Sequence, residues 1–157
     1  MNRAKLSYDD LLQKTKDQEL ELIRLAKNRH LLSNFGFYIE ESNDLICVAG
    51  KDGFYKEVNP AFLKIFGFTS EELLGTSLLS FIHPDDLKQS IKEMEKLSQG
   101  KTSISFENRI VNRNGEIITI QWSASNDITG NFIYFIGRDI TAVRLSEENL
   151  RISQKLL

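Results

Sequence analysis

The chain has 157 residues, 41% hydrophobic and 27% charged, with 20 Lys and Arg against 22 Asp and Glu for a net charge of −2. That length suits one core burying roughly two thirds of the unfolded surface, and the interspersed signs leave no basic stripe to track a phosphate backbone, which argues against nucleic acid as a partner. The single cysteine, Cys47, forms no internal disulfide, and there is no signal-peptide pattern and no apolar run of about 18 residues, so the sequence reads as cytoplasmic, without direct membrane insertion.

Tyr8 to about Leu32 contains no Gly or Pro and is rich in Lys, Glu, Gln and Leu, which predicts one helix. A heptad frame sets Tyr8, Thr15, Leu22 and Arg29 at one core position and Leu11, Gln18, Leu25 and Leu32 at the other, so polar residues interrupt half of the seam. Two readings stand with equal weight: a weak coiled coil, or a solvated linker helix whose leucine stripe lies on the domain and covers its sheet. Ser33-Asn34-Phe35-Gly36 is expected to stop the helix, giving a leading segment of residues 1–34.

From Leu45 the pattern shortens. Leu45-Ile46-Cys47-Val48-Ala49 and Phe54-Tyr55-Lys56-Glu57-Val58 flank Gly50-Lys51-Asp52-Gly53, whose glycines and aspartate favour a hairpin turn. Asn59-Pro60 supplies a cap and a first-turn proline for a short helix with Phe62, Ile65 and Phe66 on one face, ended by Gly67. Thr69-Ser70-Glu71-Glu72 has capping-box spacing and predicts a second short helix through Leu73 and Leu74 to Gly75.

His83-Pro84-Asp85-Asp86 opens the longest internal helix, with two acids at the positive end of its dipole and an inward stripe expected at Leu87, Ile91, Met94 and Leu97. Three strands follow, Ser103 to Asn112, Glu116 to Ser125 and Phe132 to Ile140, with Asn114-Gly115 marking the first turn. Alternation places Ile118, Ile120, Trp122 and Ala124 on one side of the middle strand, and Ile104, Phe106, Asn108 and Ile110 together on the strand before it. The last strand is apolar on both faces, so Phe132, Tyr134 and Ile136 need a cover, for which the leading helix or a second subunit is the natural candidate.

Asn59-Pro60-Ala61-Phe62 with Gly67-Phe68, Glu72-Leu73-Leu74-Gly75, His83-Pro84-Asp85-Asp86, Glu107-Asn108-Arg109 with Asn114-Gly115, and Arg138-Asp139-Ile140-Thr141 occur in an order that resembles the PAS family of sensor domains. The likeness covers residues 35–141. It departs from the family pattern at Thr119, where a tryptophan is frequent, and at Ala49, where an acid often ends the first strand. The resemblance implies an α+β fold, a five-stranded antiparallel sheet with short helices on one face, flanked by N- and C-terminal helices. Residues 142–157 resemble the signalling helix that joins such domains to histidine kinases or nucleotide cyclases in bacteria.

The resemblance also implies a pocket between the inner sheet face and the short helices. Its candidate lining is Ile46, Val48, Phe62, Phe66, Leu78, Ile91, Phe106, Asn108, Ile110, Ile120, Trp122 and Phe135. Flavin photosensors of the family carry a reactive cysteine after the position of Gly75, and haem-binding members a histidine within the long helix; this chain has Thr76-Ser77-Leu78-Leu79-Ser80 and no histidine from Asp85 to Gly100. No cofactor is expected. An unknown small ligand and a non-covalent flavin held by Trp122 and Asn108 stay open beside the favoured reading, in which these residues close a packed core.

Catalytic residues are not expected. The histidines are His30 on the leading helix and His83 at a helix start, no Ser or Cys has nucleophile context, no Cys or His pair has metal-ligand spacing, and no glycine-rich phosphate loop occurs. Signal relay is expected at Asp139 and Thr141, where short oxygen-bearing side chains can cap the exit helix or pin it to the sheet. Leu145, Asn149, Ile152 and Leu156 alternate steps of four and three, the pattern of a parallel two-stranded coil with an amide at one core position. The sequence thus reads as a non-catalytic, homodimeric sensory or relay module, a piece of a bacterial signalling protein whose effector domain lies in the same chain. The alternatives are a protein-docking module and an FAD redox sensor.

Overall fold

The structure, a computed structural model, describes residues 7–157; residues 1–6 of the leading segment lie outside the described residues. Two compact units divide after Ile39. The first is helix α1, Tyr8–Glu41, which carries over into the second. Ser7 Oγ accepts the Asp10 amide at 3.1 Å and Asp10 Oδ2 accepts the Ser7 amide at 3.0 Å, a reciprocal cap on its first turn. None of its residues is buried. The helix does not stop at Ser33–Gly36. Gly36 keeps a helical backbone rather than the left-handed one that ends a helix, and an interior glycine costs only about 1 kcal/mol.

The second unit is built on a five-stranded antiparallel sheet in the order β2-β1-β5-β4-β3. The strands are β1 (Leu45–Gly50), β2 (Tyr55–Val58), β3 (Ser103–Val111), β4 (Ile117–Asn126) and β5 (Phe132–Asp139). Between β2 and β3 the chain forms α2 (Pro60–Phe66), α3 (Ser70–Leu73), a 3-10 turn at Pro84–Asp86 and α4 (Leu87–Ser98), and α5 (Thr141–Lys155) leaves the sheet after β5.

Capping fixes where the short helices begin. Asn59, 2% exposed, accepts the Phe62 amide at 3.2 Å and the Ile46 amide at 3.0 Å and donates to the Asp44 carbonyl at 3.0 Å, so one side chain both starts α2 and ties it to β1. Thr69 and Glu72 close a capping box at α3. His83 Nδ1 accepts the Asp85 amide at 3.1 Å, which makes His83 the cap of the turn leading into α4.

Both edges of the sheet are covered by this same connection. Tyr55 and Gly53 of the β2 side bond Gly75, Thr76 and Leu78, while Phe81 and His83 bond Val111 and Arg109 on β3. Asp86, 7% exposed, completes the second edge by accepting the Arg109 amide at 2.7 Å and its guanidinium at 2.9 and 2.7 Å. Neither edge is left as a template for pairing along these stretches.

Three side-chain phases differ from the alternation read in the sequence. On β1 the inward residues are Leu45, Cys47 and Ala49, because β5 sets the register: Cys47 opposes inward Phe135, whereas Ile46 and Val48 oppose Ile136 and Tyr134 on the outer face. On β3 the pairing jumps from Ser103–Ala124 to Phe106–Trp122, so a bulge at Ile104 and Ser105 turns Ser103 inward and leaves Ile104 79% exposed. On α4 the inward stripe is Ser90, Glu93, Met94 and Leu97, and Leu87 and Ile91 are turned toward solvent.

Candidate functional site

The inner face of the sheet and the helices enclose a ring cluster and, beside it, a cavity. Phe62 stacks on Phe66 with centroids 4.1 Å apart and meets Tyr55 edge-on at 5.3 Å; Phe66 meets Phe81 at 5.6 Å, and Phe81 meets Phe68 at 4.9 Å. Trp122 adjoins this cluster through Phe62 and lies over Gly137, where an added Cβ would come within 2.5 Å of the indole. The close approach requires a glycine there.

The cavity measures about 60 Å³ and lies between α4, β3, β4 and the inward residues of β1 and β5. That is room for about two waters, against the several hundred Å³ of an ordinary cofactor pocket, so a flavin ring system would need the walls to part. A polar chain crosses its lining: Asn108 Nδ2 donates to Ser90 Oγ at 3.0 Å, and Trp122 Nε1 donates to Asn108 Oδ1 at 2.9 Å. Asn108 and Trp122, the residues offered for a flavin, therefore bond each other. Among the described residues no buried side-chain oxygen or nitrogen is left without a partner. Cys47 lines the cavity, and burial pushes its thiol well above the ordinary thiol range, which disfavours the thiolate for as long as the site stays closed to water.

Of the candidate lining residues, Phe66, Leu78, Phe106, Asn108, Ile110, Trp122 and Phe135 stand around the cavity. Phe62 and Ile120 are fully buried in the neighbouring core, Ile91 is on the solvent side of α4, and Ile46 and Val48 are on the outer sheet face. Cys47, Ser90, Glu93 and Ser103 also line it and escape a reading of apolar alternation. The signal for Ser90 and Glu93 is the four-residue spacing of Ser90 to Met94 and of Glu93 to Leu97.

A second constellation sits where β5 becomes α5. Asp139 Oδ1 accepts both the amide of Thr141, at 2.9 Å, and its hydroxyl, at 2.6 Å. Thr141 Oγ1 in turn accepts the Thr119 amide of β4 at 3.0 Å, and the Ile140 amide donates to the Thr119 carbonyl at 2.9 Å. One turn further on, Arg144 grips Glu107 of β3 with two guanidinium nitrogens, one of them at 3.0 Å, and reaches Glu147 at 2.6 Å. The hydrogen bonds from Arg144 hold the Glu107 carboxyl below its usual range and raise the guanidinium's own value. The start of α5 is thereby attached to two strands. Leu145, Asn149, Ile152 and Leu156 are all exposed along the rest of it.

On the outer sheet face Phe132, Tyr134 and Ile136 are 42%, 47% and 52% exposed, with Ile46 and Val48 beside them across the β1–β5 ladder. Among the described residues there is no helix long and apolar enough to cross a membrane, and no group of His, Cys, Asp or Glu placed to hold a metal ion.

A family model described as the PAS fold matches residues 55–138. A probable diguanylate cyclase of Escherichia coli K12, DgcE, is 27% identical over 140 residues, 84% of this chain and 12% of that protein. A diguanylate cyclase of Vibrio cholerae is 27% identical over 140 residues, 82% of this chain and 44% of the relative. The chain thus spans less than half the length of either relative. Among solved structures, a domain of a sensory box sensor histidine kinase/response regulator from Geobacter sulfurreducens superposes with a TM-score of 0.62 at 25% identity, covering 69% of this chain and 94% of that one. The PAS domain of an HTR-like protein from Haloarcula marismortui gives 0.61 at 25% identity, covering 71% and 99%.

Proposed function

The chain belongs to the PAS family, and from that premise we propose that it is a non-catalytic sensory or relay module of a bacterial signalling protein, passing a change in the sheet to an effector through α5. The observation that carries this reading is the joint at Asp139, Thr141 and Arg144. A helix attached to β4 and β3 by a few exposed polar bonds moves with the sheet and is released at small cost, since such bonds contribute about 0.5–1.5 kcal/mol each. Similarity to proteins named as diguanylate cyclases and to a sensor histidine kinase domain favours an effector of one of those kinds in the same polypeptide, in the cytoplasm. The cavity's small volume favours a module that needs no resident cofactor, and the purified protein should show no absorption band beyond the aromatic region. A flavin or Soret band after reconstitution would contradict this.

Regulation of this kind suits a homodimer. The exposed stripe Leu145, Asn149, Ile152 and Leu156 is suited to pairing with a second copy, the Asn149 amides meeting across the seam. Asn149→Leu should tighten association and relax it toward higher oligomers; sedimentation as a monomer by both proteins would rule the coil out. A second reading, a docking module for another protein, draws on the apolar outer face at Phe132, Tyr134 and Ile136.

The test is a fusion of this chain to a diguanylate cyclase or kinase domain. Asp139→Ala and Thr141→Ala should each shift basal output while lowering the melting temperature by only a few degrees, as expected for about 1 kcal/mol in a domain of this size. Unchanged output in both variants would reduce the joint to an ordinary helix start.

A further inference from the structure

One wall of the cavity is formed by α4 and β3. Glu93 and Phe106 each face two spaces, the cavity on one side and on the other a surface depression bounded by Lys92, Lys96 and Gln99. Three local features favour the parting of this stretch. Phe106 is half-buried and packs against no other ring among the described residues, whereas the remaining cavity and core rings are paired. β3 is an edge strand whose covering segment bonds it at Arg109 and Val111, beyond Phe106. The bulge immediately before Phe106 holds Ser105 at φ +57°, a left-handed backbone that serine seldom adopts and that concentrates where chains are poised to move. Two side-chain bonds span the gap between α4 and β3: Asn108 Nδ2 donates to Ser90 Oγ at 3.0 Å, and Ser103 Oγ donates to Glu93 Oε1 at 2.5 Å, with Lys96 holding the other carboxylate oxygen at 3.1 Å.

We propose that Phe106 is the gate of a portal between α4 and β3, latched by the Glu93–Ser103 bond, through which small neutral molecules pass between solvent and the cavity. The selectivity follows from desolvation. The depression carries both signs, Lys92 and Lys96 beside Glu93 and Glu95, so its charge favours neither; an ion of either sign would still have to leave water for a lining of mostly apolar side chains. The gate operates whether or not α5 carries a signal.

Cys47, the single cysteine of the chain, lines the cavity and reports its opening, because a reagent larger than two waters reaches the thiol only when the wall parts. The full chain would be treated with methyl methanethiosulfonate, which is small and neutral, and with its anionic sulfonatoethyl analogue. Methylthiolation of Cys47 by the neutral reagent should proceed at a rate independent of urea below the unfolding transition, the mark of a local opening. Phe106→Ala should raise that rate by about tenfold or more, Ser103→Ala by less, and Leu73→Ala, which opens space on the far side of the core, should leave the urea-independent rate unchanged. The anionic reagent should lag in every variant, because its sulfonate must shed water to enter. Phe106→Leu serves if the alanine variant fails to fold. Labelling that rises with urea as global unfolding does in every variant, or a Phe106 substitution no more effective than Leu73→Ala, would overturn the portal.

Discussion

The two halves of the core are built differently. On the α2 and α3 side Tyr55, Phe62, Phe66 and Leu73 are 4% exposed or less and interlock ring on ring. On the α4 and β3 side the same sheet face is completed by Ser90, Glu93, Ser103 and Asn108, hydroxyls, an amide and a carboxylate that bond in pairs around a small cavity. Dense aromatic packing tolerates no rearrangement without loss of many contacts, whereas on the other side a side chain that gives up its polar partner has a void beside it to move into. One half holds the fold; the other leaves room to respond.

Truncating a ring on the sealed side should have the largest effect. Phe62→Ala removes a fully buried ring and its stack on Phe66, and urea denaturation should show a loss of about 3–5 kcal/mol. Phe106→Ala, cut from the half-buried wall, should lose clearly less. Equal losses would erase the distinction between the halves.

Next comes the polar chain. Asn108→Ala leaves the Trp122 indole N–H and the Ser90 hydroxyl without their shared partner, and should cost about 1–3 kcal/mol with a change in tryptophan fluorescence. A neutral result would mean that water takes over both bonds.

The edge ion pair gives the comparison a pH axis. Hydrogen bonds from Arg109 hold the Asp86 carboxyl below its usual value near 3.9. A depressed folded-state value contributes stability that is fully present above the unfolded pKa and is lost as pH falls through the folded one. Wild type should therefore exceed Asp86→Asn in stability at neutral pH, and the gap should close below about pH 4. A gap that persists into strong acid would assign the role of Asp86 to shape rather than charge.

The joint should have the smallest effect on stability. Thr141→Ala loses the hydroxyl's exposed bond to Asp139 and its part-buried bond from the Thr119 amide, while its own amide still bonds Asp139. Amide exchange should quicken at Thr119 and in the first turn of α5 while β1 and β5 amides keep their protection.

Much of this frame was legible in the sequence, because caps and turns depend on neighbours along the chain. Asn59-Pro60, Thr69 with Glu72, and His83-Pro84 start their helices where local chemistry places them. What escaped depends on neighbours in space. Ile46 and Val48 are as apolar as Leu45 and Cys47, and only pairing with β5 decides which set turns inward. The bulge at Ile104 and Ser105 shifts the alternation by a residue with no glycine to mark it. Arg144 finds Glu107 across 37 positions, a pairing that exists only once the sheet is formed. The cavity inherits these gaps: Asn108 and most of its rings were readable, Ser90, Glu93 and Ser103 were not.

The central claim is that output is set at the joint and stability in the sealed core. It is tested most directly by measuring effector output against folded fraction in one fusion carrying, in turn, Phe62→Leu, Asp139→Ala and Thr141→Ala. The expected result is that output in Phe62→Leu follows the folded fraction, while both joint variants depart from that line with their folded fraction near wild type. A single line through all of the variants would contradict the claim.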